Sequence, residues 1–443
     1  MRVEPMMRAL FLLGLAVVAA PAVAQPEIQQ WRTDNGARVL FVEAREIPLV
    51  EVQVTFAAGA ARDGPHPGIA SLVSDLLLSG TDTLDADALA AALERDGAEV
   101  STGSARDMGW VEFRSLSEGE HLWPVVETVA GLLAEPAFPA AEVERIKGRQ
   151  RTRIEGQQQD PGAIAERLFW EALYGDHPYG HPALGTLESL AAIGRDELRT
   201  FHREHYVARN ASVAIVGDLD RGRAERLARE LTAGLAPGSA QPPLPPAPRL
   251  SADRRIERPF PSTQAHVTLG HTGVARGDER WPALYVANHI LGGGGFTSRL
   301  MTEVREKRGL VYGVHSGLSP MAAAGPFRVS LQTRGDQVGE ALSVVRSELR
   351  SFIEDGPSAQ EVTDARMNIV GGFPLRIDSN AKLVGYLANI GFYDLPLDYL
   401  DRFRERVEAV DRAAVVDAVR SLFADRPRVT VIVGGDRAGQ GNG

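Results

Sequence analysis

Hydrophobic and polar positions recur with two different periods along the first part of the chain, and these periods predict both strands and helices. Residues 49–56 alternate and are rich in β-branched side chains, which is typical of a strand. Residues 38–43 directly follow an Asp-Asn-Gly turn, a strong hairpin signal, and are predicted to form another strand. Apolar residues from 68 to 79 fall on one face of a helix, and residues 85–95 predict a second helix that ends at Gly97.

The same mixture continues to the middle of the chain. Residues 100–115 predict a strand pair, helical spacing dominates from 118 to 174, and residues 211–216 predict a last strand. Strands in clusters that are separated by helix pairs favour the α+β class. The sequence therefore predicts an α/β-sandwich, with an antiparallel-rich sheet and helices on one face.

A proline-rich stretch at residues 236–249 divides the chain into halves of similar length. It contains six prolines and almost no large apolar residue, as expected for a semi-extended linker. The motif Val-Ala-Ile-Val-Gly ends at Gly217 in the first half, and the similar Val-Ile-Val-Gly ends at Gly434 in the second. Such matches at a nearly constant offset indicate a duplicated domain.

The length of the chain agrees with a duplication. Its 443 residues are too many for one ordinary core and suit two domains of roughly 200 residues each. We predict two homologous domains at residues 25–235 and 250–437, and a disordered tail at 438–443.

The first 24 residues predict a secretory signal peptide. Arg2 and Arg8 give a positive start, residues 9–20 form an apolar run too short to span a bilayer, and residues 22–24 are Ala-Val-Ala. An N-terminal membrane anchor is the alternative interpretation. No later stretch of the sequence is long and apolar enough to cross a membrane, so we expect a soluble periplasmic protein, assuming a bacterial source.

Composition excludes several classes of function. A formal net charge of −10 argues against a nucleic-acid-binding protein, which normally carries a basic face. The chain has no cysteine, which rules out disulfides, thiol catalysis and a cysteine-ligated zinc. With 44% apolar and 24% charged residues, it has the composition of an ordinary globular protein.

The helix predicted at 68–79 carries the most informative motif. Its sequence from 68 to 81, Gly-Ile-Ala-Ser-Leu-Val-Ser-Asp-Leu-Leu-Leu-Ser-Gly-Thr, resembles the signature helix of the pitrilysin/insulinase metallopeptidase family. Active members carry His-x-x-Glu-His there, between a Gly-x-Ala and a Gly-Thr. Both flanks are present, but Ser71 and Asp75 replace the two histidines and Ser74 replaces the general-base glutamate.

Zinc needs two imidazoles on one helical face, a third protein ligand and an open position for water. The resemblance places the third ligand, a glutamate in active members, at Arg153, whose positive charge would repel a metal. One aspartate cannot hold zinc alone, so we expect no metal site and no cofactor in this chain. The histidine pairs 202/205 and 177/181 lack the spacing of a zinc motif, and we interpret them as packing residues and a structural turn.

The second half keeps a different part of the family pattern. Gly292, Gly293, Gly294 and Gly295 lead into a segment with Arg305 and, seven residues later, Tyr312. This segment resembles the family's C-terminal signature, in which an Arg and a Tyr face the zinc across a cleft. The resemblance implies that Arg305 holds a peptide carbonyl or carboxylate and that Tyr312 donates to the oxyanion of the tetrahedral intermediate.

The four glycines allow more than one interpretation. They resemble a glycine-rich loop thought to guide substrate in non-catalytic subunits of the family, and a flexible hinge is the alternative. A phosphate-binding P-loop is not supported, because no Gly-Lys-Ser/Thr follows.

The resemblance covers nearly the whole chain and implies half of a clamshell-shaped peptidase. It suggests a heterodimer in which a partner with His-x-x-Glu-His supplies zinc and this chain supplies Arg305 and Tyr312 in trans. The implied substrate is an unfolded peptide that adds to a sheet edge. Two alternatives remain open, a non-enzymatic peptide-binding or scaffold protein and an independent metallopeptidase.

Overall fold

The computed structural model describes residues 27–435, and these residues form two mixed sheets surrounded by helices. The eleven strands are, in chain order, β1 (Gln29–Arg32), β2 (Arg38–Glu43), β3 (Leu49–Phe56), β4 (Glu99–Ser104), β5 (Gly109–Leu116), β6 (Ala211–Gly217), β7 (Arg254–Arg258), β8 (Gln264–Thr272), β9 (Val311–Leu318), β10 (Pro326–Arg334) and β11 (Val429–Gly434).

Fourteen α-helices accompany these strands in the described residues. They are α1 (Ile69–Leu76), α2 (Ala86–Arg95), α3 (Gly119–Ala134), α4 (Ala140–Gln158), α5 (Pro161–Tyr174), α6 (Leu187–Ala192), α7 (Arg195–His205), α8 (Arg221–Thr232), α9 (Trp281–Asn288), α10 (Val338–Glu354), α11 (Ala359–Gly372), α12 (Asn380–Phe392), α13 (Tyr399–Glu408) and α14 (Arg412–Phe423). The predicted α+β fold with two α/β domains is confirmed.

The two sheets repeat one topology. The first has the order β1-β2-β6-β3-β5-β4, and the second has β7-β11-β8-β10-β9. In each sheet one strand pair is parallel, β2 with β6 and β7 with β11, and the other neighbours are antiparallel. Gly217 lies opposite Val50 in the first sheet, and Gly434 lies opposite Ala265 in the second. The strands that carry the two similar motifs, β6 and β11, therefore occupy equivalent interior positions.

Each half covers one face of its own sheet with its own helices. In the first core, apolar residues of α1, α3, α4, α7 and α8 pack against Val52, Val54 and Val213. In the second core, residues of α9, α10, α11 and α14 pack against Val267, Val329 and Ile432.

The other face of each sheet is covered by a helix from the opposite half. Helix α5 of the first half packs through Phe169 and Leu173 on Val431 of the second sheet. Helix α12 of the second half packs through Val384 and Leu387 on the first sheet. This exchange buries the central strands β6 and β11 on both faces and joins the halves through apolar contact.

A buried carboxylate adds polar contacts between the halves. Asp107, only 5% exposed, accepts hydrogen bonds from the hydroxyls of Tyr179 and Tyr393 and from the backbone N–H of Ala322. Tyr179 belongs to the first half, whereas Tyr393 and Ala322 belong to the second. Full satisfaction of a buried carboxylate by three donors favours a single relative position of the halves.

The segment between the two sheets, residues 236–253, contains no helix or strand. The predicted signal peptide (1–24) and tail (438–443) lie outside the described residues. No helix between residues 27 and 435 is long and apolar enough to cross a membrane.

Candidate functional site

Helix α1 begins at a tightly built turn. Gly68, directly before it, has a φ of 96°, and a Cβ there would lie 2.5 Å from the carbonyl oxygen of Leu184. Asp63 accepts hydrogen bonds from the backbone N–H groups of Gly68 (2.6 Å) and Ala70 (3.0 Å), which satisfies donors at the start of the helix. Burial raises the pKa of Asp63 to about 8, outweighing these two N–H donors and the nearby charge of Arg106.

Two of the positions that the resemblance assigns to zinc ligands, Asp75 and Arg153, are in contact. Asp75 Oδ2 lies 3.3 Å from Nη1 of Arg153, which projects from α4. Ser71 precedes Asp75 by one helical turn and is only 5% exposed. Ser74 is 1% exposed, and its Oγ has no hydrogen-bond partner in the described part of the chain.

Helix α4 is held against the start of α1 by Gln150, one turn before Arg153. Its Nε2 donates to the carbonyl oxygens of Gly68 (3.2 Å) and Leu184 (2.8 Å), and the side chain is fully buried. This contact keeps the two helices in the relative position that brings Arg153 to Asp75.

These residues do not fit a zinc ion. A serine hydroxyl is a poor neutral ligand, and the remaining carboxylate, Asp75, already pairs with a guanidinium. Between residues 27 and 435 no group of three or more His, Asp or Glu side chains is arranged to hold a metal. No catalytic step is therefore assigned to a metal bound by this chain.

The other histidine pairs have structural surroundings. His202 donates from Nε2 to the carbonyl of Leu133 at 3.0 Å, and burial lowers the pKa values of His202 and His205 to about 4. His177 donates from Nε2 to the carbonyl of Pro245 in the linker at 2.9 Å. These contacts agree with the interpretation of packing residues and a structural turn.

Three of the four consecutive glycines at positions 292–295 are tightly packed. The chain continues from α9 through a π-helical turn at His289–Gly293. A Cβ at Gly292, Gly293 or Gly294 would approach neighbouring atoms to 2.6, 2.5 and 2.7 Å. Gly295 instead has a φ of 65° and open space around it. Close packing thus explains the first three glycines, and their role in guiding substrate stays a prediction.

Arg305 and Tyr312 flank the turn that follows. Arg305 lies in a π-helical segment, Met301–Glu306, and its backbone carbonyl accepts from the N–H of Gly309, whose φ of 63° ends the helix as predicted. Within the described residues no carboxylate pairs with Arg305, whereas Glu303 pairs with Lys307 and Arg308.

Tyr312 lies on β9, an edge strand of the second sheet, and its side chain is 80% exposed. The pairing places Tyr312 and Gly313 together opposite Gln332 on β10, since Val311 faces Thr333 and Val314 faces Leu331. This β-bulge directs the phenol away from the core while its neighbours Val311 and Val314 stay buried.

Sequence reasoning missed Phe296, which is 65% exposed. The guanidinium carbon of Arg305 lies 5.0 Å from the centroid of its ring, a cation–π distance. The available sequence signal was its position directly after the four glycines and before Arg305. We call the exposed Phe296 and Tyr312, together with the half-buried Arg305, the Arg/Tyr surface.

Comparisons with known proteins agree with this architecture. Residues 38–187 match the family model described as insulinase (peptidase family M16), and residues 192–369 match the model described as peptidase M16 inactive domain. An uncharacterized zinc protease of Streptomyces coelicolor is 31% identical over 371 residues, which cover 82% of this chain and 80% of that protein. A non-peptidase homolog of Helicobacter pylori is 24% identical over 420 residues, which cover 93% of this chain and 94% of that protein.

Solved structures show the same fold. A peptidase M16 inactive domain from Pseudomonas fluorescens superimposes with a TM-score of 0.90 at 38% identity, covering 93% of this chain and 99% of that one. A protease from Helicobacter pylori gives a TM-score of 0.85 at 18% identity, covering 92% and 99%.

Proposed function

This chain belongs to the insulinase (M16) family of peptidases, and we propose that it is the zinc-less subunit of a two-subunit metallopeptidase. The observation that carries the proposal is an asymmetry between its halves. In the first half the ligand positions hold the Asp75–Arg153 ion pair instead of a metal site. In the second half Tyr312 is exposed, and the half-buried Arg305 has no ion pair among the described residues.

The chemistry of the Arg/Tyr surface suits a site completed by another subunit. A guanidinium offers a planar set of donors for a peptide carbonyl or carboxylate. A phenol can donate to the oxyanion that forms when water attacks the peptide bond, and loss of such a donor commonly costs about 3 kcal/mol in the transition state. The attacking water and its metal would come from a partner that carries His-x-x-Glu-His.

The substrate would be an unfolded peptide. Strand β9 lies at the edge of its sheet and carries Tyr312, so an extended peptide paired with this edge would run beside the phenol. Secretion to the periplasm is part of the proposal and rests on the N-terminal sequence.

Mixing the purified chain with a zinc-bearing M16 subunit from the same organism tests this function. We expect that neither subunit alone cleaves an unfolded peptide efficiently, and that the mixture cleaves it and elutes as a heterodimer. Cleavage by this chain alone would contradict the proposal. A lack of stimulation in the mixture would favour the alternative, a peptide-binding or scaffold protein with the same fold.

A further inference from the structure

A cavity of about 620 Å³ lies between the two halves, and no residue of α1 lines it. Its walls come from the first sheet, from linker residues 240–244, and from the second half near Tyr393. Five arginines line it, and we call it the arginine cavity: Arg32, Arg38, Arg62, Arg209 and Arg276.

The charge of the arginine cavity opposes that of the whole protein. Against five guanidinium groups its lining contains one carboxylate, Asp394, although the chain as a whole has a formal charge of −10. Asp394 pairs with Arg38 at 2.5 Å but is itself 82% exposed. Asp107, which contacts the lining residue Tyr393, already accepts from two tyrosine hydroxyls and a backbone N–H. Neighbouring guanidinium groups in such excess repel one another unless an anion offsets their charge.

Several polar atoms around the cavity lack partners. Nε of Arg38, Nε of Arg276 and Oγ of Ser212 are buried and have no hydrogen-bond partner within residues 27–435. Ser212 is 5% exposed, and the side chain of Arg38 is 15% exposed. Acceptors are therefore scarce in this wall, and the exposed arginines Arg32 and Arg209 are the ones that can reach a ligand.

The other arginines are already fixed in place by backbone oxygens. Arg62 donates to the carbonyl of Pro242 at 2.5 Å, Arg32 to that of Gly36 at 3.0 Å, and Arg209 to that of Gly238 at 3.4 Å. A guanidinium has five N–H donors, so one carbonyl leaves most of them free. Neutral carbonyls orient these side chains but do not neutralise them.

We propose that the arginine cavity binds a small oxyanion carrying two or more negative charges. Phosphate and carboxylate oxygens match the planar fork of a guanidinium and can accept from several arginines at once. Because the cavity is lined by both halves and by the linker, the bound anion also joins these three parts. This site is independent of the proposed peptidase role.

Calorimetric titration of the purified chain with sodium pyrophosphate, at constant ionic strength, tests the site. We expect saturable binding with one anion per chain. The double substitution R32Q/R209Q removes two exposed arginines and should weaken binding by about tenfold or more. Asp394→Asn should strengthen it, since this change removes the opposing carboxylate and Asn tolerates the positive φ of 52° at that position.

Arg255→Gln is the matched control, because Arg255 is an exposed arginine on β7 outside the cavity. It should leave pyrophosphate binding unchanged, and thermal unfolding of each variant without anion checks that it is folded. A parallel titration with citrate distinguishes phosphate chemistry from polycarboxylate chemistry, and binding of either one supports the site. Absence of saturable binding to both anions at millimolar concentration would overturn the proposal, as would unchanged binding in R32Q/R209Q.

Discussion

Nη1 of Arg153 lies 3.3 Å from Oδ2 of Asp75, so the two side chains form an ion pair. The sequence resemblance implies that these two positions hold zinc ligands in active members of the family. The pair brings α1 and α4 together at these positions without a metal. A guanidinium can fill such a place because it satisfies the remaining carboxylate without a metal.

Restoring the ligands should restore metal binding. The variant S71H/S74E/D75H/R153E places two imidazoles four residues apart on α1 and a carboxylate on α4, so we expect about one zinc per chain by elemental analysis. The variant S71H/S74E/D75H, which keeps Arg153, is the control. It should not retain stoichiometric zinc, because the Arg153 guanidinium remains in the third ligand position. Equal zinc content in both variants would show that Arg153 does not occupy that position.

Asp63 should make stability depend on pH. Its folded-state pKa, about 8, lies above the ordinary value of 3.8, so the folded chain binds a proton more tightly than the unfolded chain. The stabilisation is fully present below about pH 4 and is lost as pH rises toward 8. The free energy of unfolding should therefore decline with rising pH, over a range of about pH 5 to 8. We expect Asp63→Asn to remove this decline, as measured by urea denaturation at a series of pH values.

One titratable group beside Asp63 bears on that measurement. His181 Nδ1 lies 3.8 Å from Oδ2 of Asp63, and burial lowers the pKa of His181, which disfavours its charged form. Asp176→Asn, at an exposed carboxylate in the same half, is the control and should leave the slope unchanged. A slope that is the same in Asp63→Asn and in the wild type would contradict the raised pKa.

Exchange of α5 and α12 should make the two halves unfold together. Leu387 on α12 is fully buried against the first sheet, so Leu387→Ala should reduce the free energy of unfolding by about 2–5 kcal/mol. The control Leu375→Ala alters a side chain that is 68% exposed and should change it by less than about 0.5 kcal/mol. Tryptophan fluorescence and circular dichroism should report one coincident transition, and two separate transitions would contradict the coupling.

Local features of the fold followed from the sequence, and long-range ones did not. The bounds predicted for β2 and β3 agree with the structure because a turn motif and strict alternation are local signals. The exchange of α5 and α12 was not predictable, since an apolar helix face indicates burial but not which sheet will cover it.

The same limit applies to the site. The resemblance identified Ser71, Asp75 and Arg153, and the structure brings Asp75 and Arg153 into contact. The β-bulge that exposes Tyr312 depends on its pairing with β10, so the sequence of β9 alone could not reveal it. The arginine cavity escaped notice because its five arginines are scattered from position 32 to 276 and meet only in the folded chain.

The central claim is that this chain supplies Arg305 and Tyr312 to a zinc site in another subunit. Its most direct test is the kcat for peptide cleavage by the reconstituted heterodimer, with Tyr312→Phe and Arg305→Ala compared with the control Arg308→Ala. Arg308 pairs with Glu303 beside the same turn, so its loss alters the local charge but not the proposed site.

We predict that Tyr312→Phe lowers kcat by about two orders of magnitude with little change in KM, because its hydroxyl acts in the transition state. Arg305→Ala should raise KM as well, since the guanidinium holds the substrate before reaction, and Arg308→Ala should stay close to wild type. A heterodimer that kept full kcat and KM with both Tyr312→Phe and Arg305→Ala would contradict the account.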